Sequence, residues 1–271
     1  MNEDTRIETA LDARGVMTLT LNRPAERNAL DGQSVSELMR NLEAAGANSS
    51  VKVVVLRGAG PVFSDGTDMR WLDHMSEASY ADNLRDAKSL ATMLDSLDGF
   101  AKPVVAAVHG AVIGDALGLV AACDVVVASA DTTFQAPELS YGLVPACVAP
   151  FLIAKIGGSH ARNILLTGRP FDAARAKEIR LVHDVVATRS QLDGAVEAAV
   201  IGMLRGAPHA HKQTKALIRR LTYHGHSLLS SDTLDDVATC LAKSRSSEDV
   251  CEGLDAMSKG RPPKWAPKPA E

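Results

Sequence analysis

Apolar and polar residues alternate through Val16-Met-Thr-Leu-Thr-Leu-Asn22, the two-residue period of a strand with one buried face. Asp31 then precedes an amphipathic run that reaches Ala45 and stops at Gly46, which predicts an N-capped helix. Lys52-Val-Val-Val-Leu-Arg57 is an aliphatic run suited to a strand buried on both faces in a parallel sheet. A Gly/Pro-bounded loop covers 58–69, and a helical period runs from about 77 to 97. The cycle then repeats, with a strand over 102–109, a Gly-rich turn, a helix over about 114–122 and a strand over 124–128. Such alternation predicts an α/β fold with crossovers.

Beyond Pro145 the pattern turns helical. Helices are expected over 151–156, 160–167 and 173–179, and a last strand over 181–186. Further helices follow over 191–205, 209–221, 233–244 and 248–258. The chain therefore reads as a core over 1–190 and a C-terminal helical region over 191–271, without internal repeats. The Pro/Lys-rich tail from Arg261 to Glu271 is expected as an extended arm.

With 271 residues, 46% apolar and 23% charged, the chain can bury a sizeable core and has a soluble globular balance. A net charge of −4 leaves no footprint for nucleic acid or an anionic membrane. The most apolar stretch, 103–130, is broken by His109, Gly110, Gly114, Asp115 and Gly118, and so reads as buried core, not a membrane span. Cys123, Cys147, Cys240 and Cys251 are widely spaced, as expected of reduced, mostly buried thiols in a cytoplasmic protein. The polar, acidic start predicts no signal peptide.

Three segments carry candidate chemistry. Phe134-Gln-Ala-Pro-Glu-Leu-Ser-Tyr-Gly-Leu-Val-Pro-Ala-Cys147 places Glu138 beside a proline and among apolar residues, where a carboxyl can acquire a raised pKa and move protons near neutrality. Phe63-Ser-Asp-Gly-Thr-Asp-Met69 and His109-Gly-Ala-Val-Ile-Gly-Asp-Ala-Leu-Gly118 are Gly-containing loops suited to receive a polarised oxygen. Oxyanion donors plus one acid/base make the minimum kit for chemistry beside a thioester carbonyl, and point to an enzyme. On residues alone, both loops are equally plain βα turns, and Glu138 is equally an exposed loop carboxylate.

The order of landmarks narrows this. Leu21-Asn-Arg-Pro24, Asn28-Ala-Leu30, Val53-Val-Val-Leu-Arg-Gly-Ala-Gly60, Lys102-Pro103, His109-Gly110, Cys123-Asp124, Pro137-Glu138, Leu166-Thr-Gly168, Ser247-Glu-Asp-Val-Cys-Glu-Gly-Leu254 and Arg261-Pro262 occur in sequence with the two loops. From about Val16 to Trp265 the chain resembles the crotonase (enoyl-CoA hydratase/isomerase) superfamily. The resemblance implies an α/β crotonase fold, a spiral of ββα repeats with a C-terminal helical trimerisation region. It implies a homotrimer or hexamer acting on an acyl thioester of CoA or an acyl carrier protein, with no metal and no cofactor.

Carried over position by position, the backbone N–H groups of Thr67 and Asp115 are the oxyanion donors, and Glu138 handles protons. Arg23, Arg27, Ala29, Asp65, Gly66, Met69 and Gly114 fall in the segments that contact substrate and its CoA carrier. Asp68, at the end of the first loop, is a helix cap in most members and an acid/base candidate in one subgroup. That subgroup is the dehydratases of polyketide β-branching, which remove water from a 3-hydroxy-3-methylglutaryl group; Pro145-Ala-Cys-Val-Ala-Pro-Phe-Leu-Ile153 is similar to theirs. Two positions depart from the hydratases. Gly118 stands where their second glutamate falls, and Asp115 stands where glycine is usual, which makes its side chain a third acid/base candidate. Arg180 also replaces a usual glycine.

The expected activity is hydration or dehydration of an enoyl or 3-hydroxyacyl thioester through a stabilised enolate. The rivals are a double-bond isomerase using Glu138 alone and an inactive crotonase-fold binding protein. Three other signals are set aside. His209-x-His211 and His224-x-His226 lack partners at metal-ligand spacing, and Ser64 and Ser140 lack a nucleophile elbow. Gly157-Gly158 reads as a helix cap.

Overall fold

The computed structural model describes residues 5–223, 231–245 and 247–266. In chain order the strands are β1 (Ile7–Leu11), β2 (Val16–Leu21), β3 (Val53–Gly58), β4 (Val104–Val108), β5 (Ala111–Ile113), β6 (Val125–Ser129), β7 (Thr133–Gln135), β8 (Phe171–Asp172) and β9 (Asp184–Val186). The helices are α1 (Gly32–Ala47), α2 (Met69–Ser76), α3 (Tyr80–Asp98), α4 (Asp115–Ala122), α5 (Ala149–Thr167), α6 (Ala173–Glu178), α7 (Leu192–Leu204), α8 (Pro208–Tyr223), α9 (Ser231–Arg245) and α10 (Glu248–Ser258).

A six-stranded sheet runs in the order β1-β2-β3-β4-β6-β9, parallel throughout except for the antiparallel β1–β2 pair. A second, three-stranded sheet has the order β5-β7-β8. Isolated bridges Leu30–Thr67 and Ser64–Val112 extend this smaller sheet towards the N-terminal half. Each turn of the chain thus puts one long strand in the large sheet and one short pairing segment in the small one, and then enters a helix. That is the ββα spiral expected.

One large hydrophobic cluster fills the space between the sheets and α1, α3, α4 and α5. The aliphatic strands are buried because both faces are covered. The other face of the large sheet packs Val55, Val105 and Val127 against Leu192, Val196 and Val200 of α7. The helical region drawn from residue 191 therefore begins with a helix packed onto the sheet.

Local chemistry explains the element ends. Asp31 caps α1 by accepting from Ser34 N–H at 2.8 Å. Its buried residues Ser34, Val35, Leu38, Leu42 and Ala45 follow the helical period. The helices expected over 151–156 and 160–167 are one element, α5, broken internally at Gly157 with φ 77° and ψ 157°. Arg180 has φ 68°, which accounts for the usual glycine there.

Five short elements, β1, α2, β5, β7 and β8, were not delineated by the pattern. The arm expected from Arg261 is not extended as far as it is described. Arg261 pairs with Glu252 and Asp255, Trp265 Nε1 donates to Arg205 O at 3.0 Å, and Lys52 Nζ donates to Trp265 O at 2.8 Å. Residues 267–271 lie outside the described residues, as does the His224-x-His226 pair. All four cysteines are free, but only Cys123 is buried and Cys251 is exposed, so thiol burial was over-read.

No helix among the described residues is long and apolar enough to cross a membrane.

Candidate active site

The site assembles where the short pairing segments of the small sheet end. The Ser64 segment leads to Thr67, β5 leads to Gly114 and Asp115, and β7 leads through Pro137 to Glu138. Their carboxyl ends open on a cleft of about 620 Å³. Its wall includes Ala29, Asp65, Thr67, Asp68, Met69, Gly114 and Glu138 from the sequence-predicted set.

The first loop is fixed from below by residues that the sequence reading did not assign. Asn28 is fully buried with φ 56°, and its amide donates to the carbonyls of Ala59, Val62 and Phe63 at 2.8, 2.9 and 3.1 Å. Buried Ser64 donates to Asn28 O at 2.8 Å and accepts from Gly66 N–H at 3.0 Å. Leu30 N–H donates to Gly66 O and Asp68 N–H donates to Leu30 O, at 2.6 and 2.8 Å. Thr67 N–H, between these anchored groups, has no acceptor in the chain among the described residues.

The second donor is equivalent. Gly114 takes φ 55° and ψ −123°, a conformation closed to side chains, and turns the chain from β5 into α4. Asp115 N–H, at the first turn of α4, likewise has no acceptor in the chain among the described residues. A Cβ on Gly66 would lie 2.2 Å from Ile113 O and 3.1 Å from Asp115 N, so only glycine lets the two segments approach.

Glu138 faces this pair. A Cβ on Gly114 would lie 3.4 Å from Glu138 Oε1, and neither carboxyl oxygen, both buried, has a hydrogen-bond partner. Burial pushes the Glu138 carboxyl above the usual carboxylate range; its own backbone N–H opposes this, and the charge of Asp115 adds to it. A buried, unpartnered, proton-accepting group beside unused amide donors is a high-energy arrangement that a bound ligand relieves.

The other acidic candidates are placed differently. Asp68 caps α2, accepting from Arg70 N–H at 2.9 Å, and pairs with Arg23 at 3.0 Å. Burial would raise its pKa, but the Arg70 N–H and the Arg23 guanidinium prevail and hold it below the usual carboxylate range. Its oxygens are occupied, in agreement with the capping reading.

The Asp115 side chain is not part of the cleft wall; it accepts from the Thr67 hydroxyl. Burial, reinforced by Asp86 and opposed by the Thr67 hydrogen bond, raises its pKa.

Arg23 points inward, donating to Ala29 O at 2.7 Å and pairing with Asp31 and Asp68, so it braces the loop and is not presented to a ligand. Arg27 pairs with Asp65 at the surface. The cation that does line the cleft is Arg70, 80% exposed and only loosely paired with Glu26 and Asp68 at 3.9 Å. Its place in the first turn of α2, a helix absent from the sequence reading, is why it was missed. His109 is buried with Nε2 3.1 Å from Gly60 O, a positional role.

Gly118 lies inside α4, and the space that a side chain would need is taken. A Cβ there would be 3.0 Å from Leu94 Cδ1 and 3.3 Å from Val148 Cγ2. A second carboxylate is therefore absent, and a side chain in its place would press closely on Leu94 and Val148. Among the described residues no group of three or more His, Cys, Asp or Glu could hold a metal ion.

The fold matches a known class. The chain aligns with a crystallised enoyl-CoA hydratase from Shewanella pealeana at 32% identity and a TM-score of 0.92, covering 96% of both chains. It is 31% identical over 261 residues to a peroxisomal Δ(3,5)-Δ(2,4)-dienoyl-CoA isomerase of Arabidopsis thaliana, covering 93% of this chain and 92% of that one. It is 36% identical over 206 residues to 2,3-dehydroadipyl-CoA hydratase of Escherichia coli, covering 76% and 78% of the respective chains. The enoyl-CoA hydratase/isomerase family model matches residues 12–268, and the chain belongs to that family of crotonase-fold enzymes.

Proposed function

We propose that this enzyme adds water to, or removes it from, an enoyl or 3-hydroxyacyl thioester, with Glu138 as the lone proton carrier. The observation that carries the reading is the unpartnered Glu138 carboxyl opposite the two unused amides. In dehydration, Glu138 takes the proton from the carbon next to the thioester carbonyl. The C–H electron pair moves into the carbonyl, and the enolate oxygen accepts from Thr67 and Asp115 N–H. Glu138 then gives its proton to the departing hydroxyl, water leaves, and the double bond forms. Hydration is the reverse.

The motif at 145–153 supports a branched 3-hydroxy-3-methylglutaryl group as the acyl portion. Its Val148, with Leu94, packs beside the position where a second carboxylate would stand. Arg70 at the cleft wall is the group best placed for the phosphates of CoA or of a carrier-protein arm.

A second reading, double-bond isomerisation, is favoured by the filled space at Gly118, since one carboxyl suffices to move a proton between carbons of the same acyl chain.

Turnover in heavy-oxygen water with crotonyl and 3-hydroxy-3-methylglutaryl thioesters, followed by mass spectrometry, separates the two. Gain or loss of water, abolished in Glu138→Gln, supports the (de)hydratase. Hydrogen relocation without heavy-oxygen incorporation sinks it in favour of the isomerase.

A further inference from the structure

The two oxyanion donors come from segments 48 residues apart in sequence. Backbone pairing between those segments runs out before it reaches them. Ser64 N–H donates to Ala111 O and Ile113 N–H to Ser64 O, both at 3.1 Å. Past Ile113 the segments are next joined through side chains, where the Thr67 hydroxyl donates to Asp115 Oδ2. The residues that present the two N–H groups are thus the residues that are tied together.

We propose that Asp115 is a positioning residue, its side chain bridged to Thr67 as a clamp that fixes the separation of the two oxyanion-hole amides. This rests on the oxyanion reading above and adds to it. A charged carboxylate in this place would oppose the enolate it helps to hold. The titratable groups acting on Asp115 are Asp86 on α3, Glu138 after β7 and Cys147 before α5, none of them cationic. Burial, aided by Asp86, disfavours its anion more than the Thr67 hydrogen bond favours it, so the clamp's carboxyl holds its proton to higher pH than an ordinary carboxylate while one oxygen accepts from the Thr67 hydroxyl. Ionisation at higher pH then weakens the oxyanion hole, while protonation of Glu138 limits the rate at lower pH.

The test combines kinetics with a readout independent of turnover. In the full-length protein at neutral pH, infrared difference spectroscopy should show a protonated carboxyl band that Asp115→Asn removes and Thr67→Val shifts. Asp115→Ala and Thr67→Val should each lower kcat roughly ten-fold or more, with smaller changes in KM, since donor placement acts mainly on the transition state. The double variant should lose little more than either single one, because both remove one bridge. Asp115→Asn should keep more of kcat than Asp115→Ala and should lose the alkaline fall of the wild-type profile.

An ionised Asp115 at neutral pH, or an Asp115→Asn profile with the alkaline fall intact, overturns the clamp. Full activity in Glu138→Gln overturns the underlying reading and leaves the infrared result to judge the bridge by itself.

Discussion

Glu138 has burial without a partner, the costliest state for a carboxylate. If Glu138 is the lone proton carrier, as proposed, Glu138→Gln is expected to lower kcat by about 10²–10⁴-fold, measured by spectrophotometric thioester turnover. The wild-type rate should fall as pH drops through the raised Glu138 pKa, since only the carboxylate accepts the proton. Gly66→Ala should be more damaging than its size suggests. The residue has φ 78°, and its new methyl would press on Ile113 O at 2.2 Å, so kcat and thermal stability should fall together. The placement of Glu138 and Gly66 at the cleft was legible because the Gly-containing loops and the Pro-flanked carboxylate are features of residue type and spacing. Asn28 and Ser64 were not assigned, because their work is to satisfy carbonyls 31 to 36 positions away, and nothing in a linear pattern records which carbonyls a fold will orphan. Arg23 was legible as a cation, but not as one turned inward onto Asp31 and Asp68.

At the level of elements, the helices with a strong apolar stripe and the aliphatic strands were readable. The short segments that build the site were not. β5 and β7 have three residues each, too few to show a period, and their pairing is set by neighbours from the previous turn of the spiral. Asn28→Ala would leave the carbonyls of Ala59, Val62 and Phe63 without that donor; a loss of about 2–3 kcal/mol in chemical denaturation is expected. Gly118→Glu, which restores a hydratase-like pair on paper, should fail. Leu94 and Val148 already occupy the space, so the variant should be destabilised by about 1–3 kcal/mol or more and gain no activity.

For the molecule as a whole, both raised carboxyls have a linkage consequence. The native state holds protons on Glu138 and Asp115 at pH values where the unfolded chain has released them. Their stability contribution is therefore full below the ordinary carboxylate range and is lost as pH rises through their raised folded values. Glu138→Gln and Asp115→Asn should each raise the melting temperature near neutral pH relative to acid pH, as calorimetry across that range would show. A flat difference would mean that neither group is shifted. The α/β class and the succession of strand and helix were visible in the sequence at this scale. The packing of α7 onto the large sheet and the docking of Trp265 against Arg205 were not, since both depend on which surface stays uncovered after the spiral closes.

Three consecutive turns of that spiral each supply one component. One gives the Thr67 amide, the next the Asp115 amide, and the third the Glu138 carboxyl. On the proposed mechanism, the part that would hold the carbonyl and the part that would move protons thus belong to separable modules on a shared frame. Exchanging the 134–148 segment for that of a relative would change which bonds are made and broken while the carbonyl cradle stays in place. A fold organised this way diversifies its reactions one repeat at a time.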